Sequence, residues 1–346
     1  MHPSVVDVSV ERDADGALLV RWELAGPPAA VEVAVGPTPE AIDHVPARVA
    51  PAGLHELRLP TAGPGPHYVS VAPRAAASVA PPAASASVAA GGGGAVVGGE
   101  RRVPFEGASN FRDLGGYVGA GGRRVRWGRV FRADSLTHMT AADLAAYDRL
   151  GVRAVWDLRT DEEREREPDP FPSIPLSVMG RTEGGDGSAP PDVGDLLEES
   201  HGEQFLRVIY GRILANAAPV LGELLGGLAG PDATPAVFHC AGGKDRTGMA
   251  AALLLELLGV ARPVVLDDYE LTSRYRRRGR RSPSLDRLLE WMSPEAVAGV
   301  LGTPRWVMEE VLEVLDRDHG GIDAYLTGPA GLTAATLDQL RGDLLA

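Results

Sequence analysis

The chain has 346 residues and a formal net charge of −13, which argues against a general nucleic-acid binder and, by length, predicts more than one domain. Its 44% hydrophobic residues are enough for a packed core, and its single cysteine excludes an internal disulfide, a dithiol redox pair and a multi-cysteine zinc site. The sequence has no apolar run long enough for a transmembrane helix and no signal-peptide pattern, so we expect a cytoplasmic protein.

Short strands are predicted in the first part of the chain, at Leu18–Leu24, Val31–Val35 and His67–Val71. Trp22 and Tyr68 are expected to anchor the core of a small β-sandwich, and the segment resembles a fibronectin type III module. We assign residues 1–102 to this module, whose partner the sequence does not identify. It includes a Pro-, Ala- and Gly-rich segment at 72–99 that we expect to be a loop or linker, with 95–97 as a candidate last strand.

From Val103 onward, helical and strand patterns mix, which predicts a second, α/β domain over 103–346. Apolar runs at Val152–Leu158 and Pro235–His239 predict buried strands. Helices are expected from about Glu203 to Ala229, with a break near Pro219, and residues 180–202 are typical of a surface loop. Five helix starts are predicted from capping residues: Thr140, Thr160 with Glu163 in capping-box spacing, Thr247, Thr303-Pro304 and Thr333.

One strand, loop and helix contains the residues that point to a reaction, with the sequence HCAGGKDRTG over residues 239–248. A short glycine-bearing loop that enters a helix can direct successive backbone N–H groups toward an anion, and the helix adds the positive end of its dipole. This field favours the thiolate form of Cys240. Arg246 can hold two phosphate oxygens with its planar guanidinium. The pattern therefore predicts a cysteine nucleophile directed at phosphorus.

These residues resemble the H-C-x-x-x-x-x-R-[ST] signature of the cysteine-dependent phosphatases. The fuller form resembles the bacterial protein-tyrosine phosphatase group, which is also similar to inositol-lipid phosphatases. A second motif, NFRDLGGY at 110–117, and three shorter segments fit the same pattern in order: Val130–Asp134, Asp157–Arg159 and Asp268–Thr272. The resemblance covers 103–346 and implies an α/β phosphatase fold, with a central, mainly parallel sheet flanked by helices.

The resemblance also implies roles for the loop residues. Cys240 is expected to attack, and His239 to orient the loop and favour the thiolate. The phosphoryl group is expected to be held by Ala241, Gly242, Gly243, Lys244, Arg246 and Thr247. The Thr247 hydroxyl is further expected to hydrogen-bond to the cysteine and assist its departure. Because Lys244 is the only lysine in a chain otherwise rich in arginine, we expect an ammonium group to be needed there.

The general acid that protonates the leaving group is an open assignment, because sequence cannot place a carboxyl group near the ester oxygen. The resemblance favours Asp245, which lies in the loop. Four other aspartates are alternatives: Asp134, Asp157, Asp267 and Asp268.

The predicted function is hydrolysis of phosphomonoesters, first of all phosphotyrosine in proteins, through a cysteinyl-phosphate intermediate and with no metal or organic cofactor. The runner-up is a phosphoinositide phosphatase, favoured by Lys244 and by the arginine-rich segment 274–281, whose simpler interpretation is a solvated helix end. A non-enzymatic phosphate-binding module is the third alternative. An arsenate-reductase-like role fits poorly, since the chain has no second cysteine to resolve the intermediate.

Overall fold

The computed structural model describes residues 2–44, 47–60, 65–74, 95–178, 203–276, 297 and 301–346. The described residues of the N-terminal region form seven strands, which are β1 Ser4–Arg12, β2 Leu18–Ala25, β3 Val31–Gly36, β4 Arg48–Ala50, β5 Glu56–Leu59, β6 Tyr68–Pro73 and β7 Val96–Gly99. They form two antiparallel sheets, a three-stranded one in the order β1-β2-β5 and a four-stranded one in the order β4-β3-β6-β7. The predicted all-β character of this region is confirmed.

The two N-terminal sheets enclose one apolar core. Trp22 and Val20 from β2 pack in the same cluster as Val33 from β3 and Val71 from β6. The predicted role of Tyr68 was wrong: it lies outside this cluster, and its hydroxyl donates to Asp113 in the following region, at 2.8 Å. Alternation along a strand says which side chains are buried, but not which core they enter.

The segment predicted as a linker begins later and ends earlier than expected. β6 extends to Pro73, and β7 pairs with it in antiparallel register from Val96, which confirms the candidate last strand. The rest of that segment, residues 75–94, lies outside the described residues.

The second region is built on a five-stranded sheet. Its strands are β8 Arg112–Asp113, β9 Val130–Ala133, β10 Ala154–Asp157, β11 Ile174–Pro175 and β12 Ala236–His239. They are ordered β11-β10-β12-β9-β8, and every neighbouring pair is parallel except β8 with β9. The mainly parallel sheet is therefore confirmed, with β12 at its centre.

Helices account for most of the remaining described residues: α1 Ala141–Asp148, α2 Asp161–Arg166, α3 Glu203–Asn216, α4 Ala218–Leu228, α5 Asp245–Leu257, α6 Arg262–Tyr275, α7 Arg305–His319, α8 Ile322–Thr327 and α9 Ala334–Leu344. The central helix is α5, in which the run Met249–Leu255 is entirely buried. Burying each leucine of this run contributes roughly 1.5–3 kcal/mol to the stability of the fold. This burial fixes the position of α5, and with it the loop that joins α5 to β12.

The capping signals predicted the helix starts well. Thr140 and Thr160 both form complete capping boxes, with Asp143 and Glu163 respectively, and Thr333 caps α9. Helix α7 begins directly after Pro304, and the break predicted near Pro219 falls at Ala217. The predicted start of α5 at Thr247 was wrong, because the helix already begins at Asp245.

In the part of the chain that the structure describes, no single helix has both the length and the apolar composition to cross a membrane. One pair of segments bent by 61°, Leu206–Ala215 with Ala218–Leu228, meets both criteria when taken together. Many side chains of this pair are buried in the main core of the second region, among them Leu206, Leu221 and Leu225.

Polar contacts join the two regions. In addition to the Tyr68–Asp113 hydrogen bond, Arg124 pairs with Asp7 of β1 at 2.9 Å. Asp113 also accepts from the backbone N–H groups of Gly115 and Gly128, both at 2.7 Å. The buried carboxylate of Asp113 is thus satisfied by donors from both regions, which makes this contact a specific link between them.

Candidate active site

The loop between β12 and α5 has its carbonyl groups held from outside. The Gly243 carbonyl accepts hydrogen bonds from the side chains of Asn110 at 3.0 Å and Arg132 at 2.9 Å, and the Ala241 carbonyl accepts from the Ser135 N–H at 3.1 Å. Asn110 and Arg132 come from the two upstream motifs, so the structure gives those motifs a physical purpose. With the carbonyls fixed outward, the loop can present its N–H groups to an anion.

The backbone amides at the centre of this loop have no hydrogen-bond partner among the described residues, so they are available to a ligand. The N–H groups of Ala241, Gly242 and Gly243 make no hydrogen bond to any other residue that the structure describes. Cys240 stands immediately before them as a free thiol, with only 2% of its surface exposed. The three amides and the first turn of α5 have the arrangement that the predicted anion-binding loop requires.

Arg246 lies in the first turn of α5 and is held by Glu163 of α2. Its Nη1 and Nη2 donate to the two carboxylate oxygens of Glu163 at 2.5 and 2.9 Å, and Nη1 also donates to the Leu158 carbonyl at 3.2 Å. These contacts use both hydrogens of Nη1 and one of Nη2. The Nε–Nη2 edge of the guanidinium is left to bind two phosphoryl oxygens side by side.

Glu163 is a functional residue that the sequence reasoning missed. Its capping-box role was predicted and is confirmed, because its carboxylate accepts from the Thr160 N–H at 2.8 Å. Burial raises the pKa of Glu163, but the hydrogen bonds from Arg246 outweigh this effect and hold the pKa below its usual value. The carboxylate therefore stays charged and keeps Arg246 in place.

Asp245 is the loop carboxyl group favoured as the general acid, and it is 37% exposed on its side chain. Its Oδ1 accepts a hydrogen bond from the Tyr210 hydroxyl at 2.6 Å and lies 3.3 Å from Nζ of Lys244. Lys244 is 3% exposed, and burial lowers its pKa, an effect that Asp245 partly offsets. The structure thus places the only lysine against the candidate acid, a contact that was not predicted.

Two alternative acids, Asp134 and Asp157, are committed to structural contacts. Asp134 accepts from the backbone of Asn110 at 3.0 Å and from the Ser109 hydroxyl at 2.8 Å, and burial raises its pKa. Asp157 is fully buried and accepts two close hydrogen bonds from Arg159, at 2.9 and 2.7 Å. Asp157 has no exposed surface, and both carboxylate oxygens of Asp134 already accept hydrogen bonds from residues 109 and 110, so neither carboxyl group is available as the leaving-group acid.

The other two alternatives, Asp267 and Asp268, lie on α6. Asp268 is buried between Arg112 and Arg132, at 3.1 and 2.7 Å. Burial raises the pKa of Asp268, but these two guanidinium groups outweigh it and hold the pKa far below its usual range. Asp267 is exposed and pairs with Arg305 at 2.6 Å. Of the five candidates, only Asp245 lies in the loop, and its side chain is also accessible to solvent.

His239 ends β12 within a buried cluster of charged groups. Its Nε2 lies 3.1 Å from Oδ2 of Asp169 and 3.8 Å from Oδ1 of Asp157. These three side chains are close enough to share a metal ion, but the guanidinium of Arg159 already pairs with both carboxylates, at 2.7 and 2.8 Å. The arginine supplies the compensating positive charge, so we interpret Arg159 and the two carboxylates as an ion-pair network. Neither ring nitrogen of His239 makes a hydrogen bond to a described residue.

Thr247 occupies the first turn of α5, as its place in the motif requires. Its hydroxyl is buried and has no hydrogen-bond partner among the described residues. The expected hydrogen bond to Cys240 is therefore not formed in this structure. A buried hydroxyl without a partner carries a desolvation cost of about 1–3 kcal/mol, which a hydrogen bond to a ligand or to the thiolate would remove.

Comparison with known proteins agrees with this geometry. A model described as the tyrosine phosphatase family matches residues 103–346. A protein named as a tyrosine-protein phosphatase from Cupriavidus necator is 32% identical over 257 residues, which cover 72% of this chain and 90% of that protein. The triple specificity protein phosphatase PtpB of Mycobacterium tuberculosis is 29% identical over 287 residues, 71% of this chain and 99% of PtpB. A tyrosine-protein phosphatase of Nostoc commune is 30% identical over 150 residues, 42% of this chain and 48% of that protein.

Proposed function

The chain belongs to the tyrosine phosphatase family and is a protein-tyrosine phosphatase, and from this premise we propose that Cys240, Arg246 and Asp245 carry out its reaction. In the first step the Cys240 thiolate attacks phosphorus, and the bond between phosphorus and the ester oxygen breaks. Asp245 gives its proton to the departing phenolic oxygen. Arg246 and the loop amides hold the three non-bridging oxygens throughout this step.

In the second step water attacks the phosphorus of the cysteinyl phosphate, and the sulfur–phosphorus bond breaks. Asp245, now a carboxylate, takes a proton from this water, and the products are inorganic phosphate and the regenerated thiolate. We assign stabilisation of the departing sulfur to the hydroxyl of Thr247, which is buried and has no partner among the described residues. The same carboxyl group thus acts as acid and then as base.

The observation that carries this proposal is the division of the Arg246 guanidinium between two partners. Glu163 takes one edge of the planar group, and the Nε–Nη2 edge is left for phosphoryl oxygens. Such a fixed fork stabilises the charge of the transferring phosphoryl group without reorganising during the reaction.

A panel of substrates tests the proposal. We expect the full chain to hydrolyse a phosphotyrosine peptide with a higher kcat/KM than a phosphoserine peptide of the same sequence. We also expect kcat/KM for the phosphotyrosine peptide to exceed kcat/KM for phosphoinositides in vesicles. The physical reason is that a phenol is a better leaving group than an aliphatic alcohol. A higher kcat/KM for phosphoserine or for the lipid would contradict this order.

Phosphoinositide hydrolysis is the second candidate, and Arg276 favours it. A side-chain carbon placed on Gly242 would lie 3.7 Å from Cζ of Arg276, so this guanidinium stands beside the anion-binding loop. Together with Lys244 it offers positive charge to a second phosphate on the same substrate. One similar protein, PtpB, is named a triple specificity protein phosphatase. Residues 277–281 of the arginine-rich segment lie outside the described residues.

The variant Arg276→Ala separates the two candidates, with Arg274→Ala as the matched control. Arg274 lies in the last turn of α6, two residues before Arg276, but it lines a cavity of about 460 Å³ with Arg101 and Tyr117. If phosphoinositides are substrates, Arg276→Ala lowers their kcat/KM more than that of a phosphotyrosine peptide, and Arg274→Ala does not. Equal proportional losses on both substrates would remove Arg276 as support for the lipid.

A further inference from the structure

We propose that Tyr210, supported by Tyr269, positions the carboxyl group of Asp245 for proton transfer to the leaving group. The inference rests on the proposed role of Asp245 as general acid. Three helices meet at this point: Tyr210 lies on α3, Tyr269 on α6 and Asp245 on α5. Tyr210 is therefore a positioning residue that belongs to none of the sequence motifs.

The described residues make two contacts to the carboxyl group of Asp245, and both are made to one oxygen. The Tyr210 hydroxyl lies 2.6 Å from Oδ1, and Nζ of Lys244 lies 3.3 Å from the same atom. Oδ2 is consequently the oxygen that is left to carry the proton. An acceptor held at Oδ1 fixes the plane of the carboxyl group and so fixes the direction of Oδ2.

The direction of each hydrogen bond follows from counting hydrogens. The Oδ1 atom accepts a hydrogen bond both when the carboxyl group is ionised and when the proton sits on Oδ2. Tyr210 therefore donates to Oδ1 in both states. The hydroxyl of Tyr269 lies 2.6 Å from that of Tyr210, and since Tyr210 has already used its only hydrogen, Tyr269 donates to it. Two phenols in series thus hold Asp245 before and after it gives up its proton.

The surroundings keep both phenols in place and protonated. Tyr210 and Tyr269 are each 1% exposed, and their rings pack edge to face with centroids 6.4 Å apart. Burial, followed by the charge of Asp245, raises the pKa of both hydroxyls, so both remain hydrogen-bond donors. A side-chain carbon at Gly248 would come within 3.1 Å of the Tyr269 ring, so the glycine two residues after Arg246 makes room for this contact.

The experiment measures kcat/KM for a series of aryl phosphates, because this constant reports the step in which the phenol leaves. The series runs from dinitrophenyl phosphate, whose leaving group needs no proton, through para-nitrophenyl phosphate to phenyl phosphate. We expect Tyr210→Phe to lower kcat/KM for phenyl phosphate by about tenfold or more and for dinitrophenyl phosphate by less than about twofold. Asp245→Asn should show the same trend with a larger loss on phenyl phosphate.

Tyr325→Phe is the matched control. The Tyr325 hydroxyl is also buried and donates to the α3 residue Leu214 at 2.8 Å, so its removal costs a similar hydrogen bond without touching Asp245. We expect this variant to show no dependence on the leaving group. In an Asp245→Asn background, Tyr210→Phe should add no further loss on phenyl phosphate, because its effect passes through the carboxyl group.

The outcomes separate the inference from the function on which it rests. If Asp245→Asn shows the leaving-group trend but Tyr210→Phe loses activity equally on all esters, Tyr210 is a structural residue and the inference is wrong, while the proposed acid stands. If Asp245→Asn itself shows no trend, the acid assignment is wrong and the inference falls with it. A leaving-group trend in Tyr325→Phe would also overturn the inference, because any buried phenol would then suffice.

Discussion

The guanidinium of Arg246 illustrates how one residue is shared between structure and reaction. Its contact with Glu163 joins α2 to α5 across 83 positions of sequence. The pair is largely buried, with 14% of the arginine side chain and 22% of the glutamate side chain exposed. A buried pair of this kind is costly to break on one side only, since the remaining charge loses its partner.

Glu163→Gln tests this dependence. The glutamine oxygen can still accept from the Thr160 N–H and preserve the helix cap, but the amide has no charge and only one acceptor for Arg246. We expect kcat/KM for para-nitrophenyl phosphate to fall on the order of tenfold to a hundredfold, the equivalent of losing one hydrogen bond to a charged group. The free energy of unfolding should also fall, because Arg246 loses its charged partner in a largely buried place although the cap remains.

The neighbouring variant Glu162→Gln is its control. Glu162 lies on the same helix, is 79% exposed and pairs with Arg166 within the helix. Kinetics close to those of the unmodified enzyme are expected for this variant. Equal losses in the two variants would mean that Glu163 acts only through the charge of α2 and does not hold Arg246.

At the scale of elements, the loop between β12 and α5 depends on one glycine conformation. Gly243 has a φ of +62°, and a Cβ added there would lie 2.6 Å from the Ala133 carbonyl oxygen and 2.7 Å from the Asp134 nitrogen. Both neighbours are backbone atoms that cannot move aside cheaply. The loop therefore packs at Gly243 directly against the backbone at the end of β9, and only glycine fits at this position.

Gly243→Ala should consequently lower the free energy of unfolding by about 2 kcal/mol or more and abolish most activity. Gly242→Ala is a matched control for stability, because the nearest atom to its added Cβ is Cζ of Arg276, at an ordinary 3.7 Å. Chemical denaturation of the two variants decides the point. A Gly243→Ala protein as stable as Gly242→Ala would show that the loop is not constrained in this way.

The sequence predicted local features better than contacts between elements. The N-cap at Thr140, the capping box at Thr160 and the strand before Cys240 were predicted because each is encoded within a few neighbouring residues. The start of α5 was misplaced by two residues, since glycines and charged residues before Thr247 are typical of a loop. The Tyr210–Asp245 contact had no sequence signal, because it depends on how α3 packs against α5.

At the scale of the whole molecule, the N-terminal sheets are linked to the phosphatase region through Tyr68 and Asp113. Asp113 directly follows Arg112, which binds Asp268 and thereby helps to fix Arg132 against the loop. In β8, the side chain of Asp113 therefore contacts the N-terminal region, and the side chain of Arg112 contacts the residues that hold the active-site loop. Alternation of side chains along β8 accounts for this division.

A double-mutant cycle with Tyr68→Phe and Asp113→Asn measures the strength of this link. We expect a coupling free energy of about 1.5–3 kcal/mol in urea unfolding, the value of a hydrogen bond to a charged group. The exposed pair Arg21–Glu56, at 2.7 Å with 46% and 52% of the side chains exposed, is the control, and its coupling should stay below about 0.5 kcal/mol. Coupling at the first pair no larger than at the second would contradict a specific link.

The most direct test of the proposed chemistry is the Cys240→Ser variant of the full chain. The nucleophile and the anion-binding groups are separate, since Cys240 supplies the attack while the loop amides and Arg246 supply affinity. We therefore expect kcat for para-nitrophenyl phosphate to fall by at least about a thousandfold, while tungstate still binds in calorimetry. Substantial turnover by a Cys240→Ser sample free of the unmodified enzyme would contradict covalent catalysis by this cysteine.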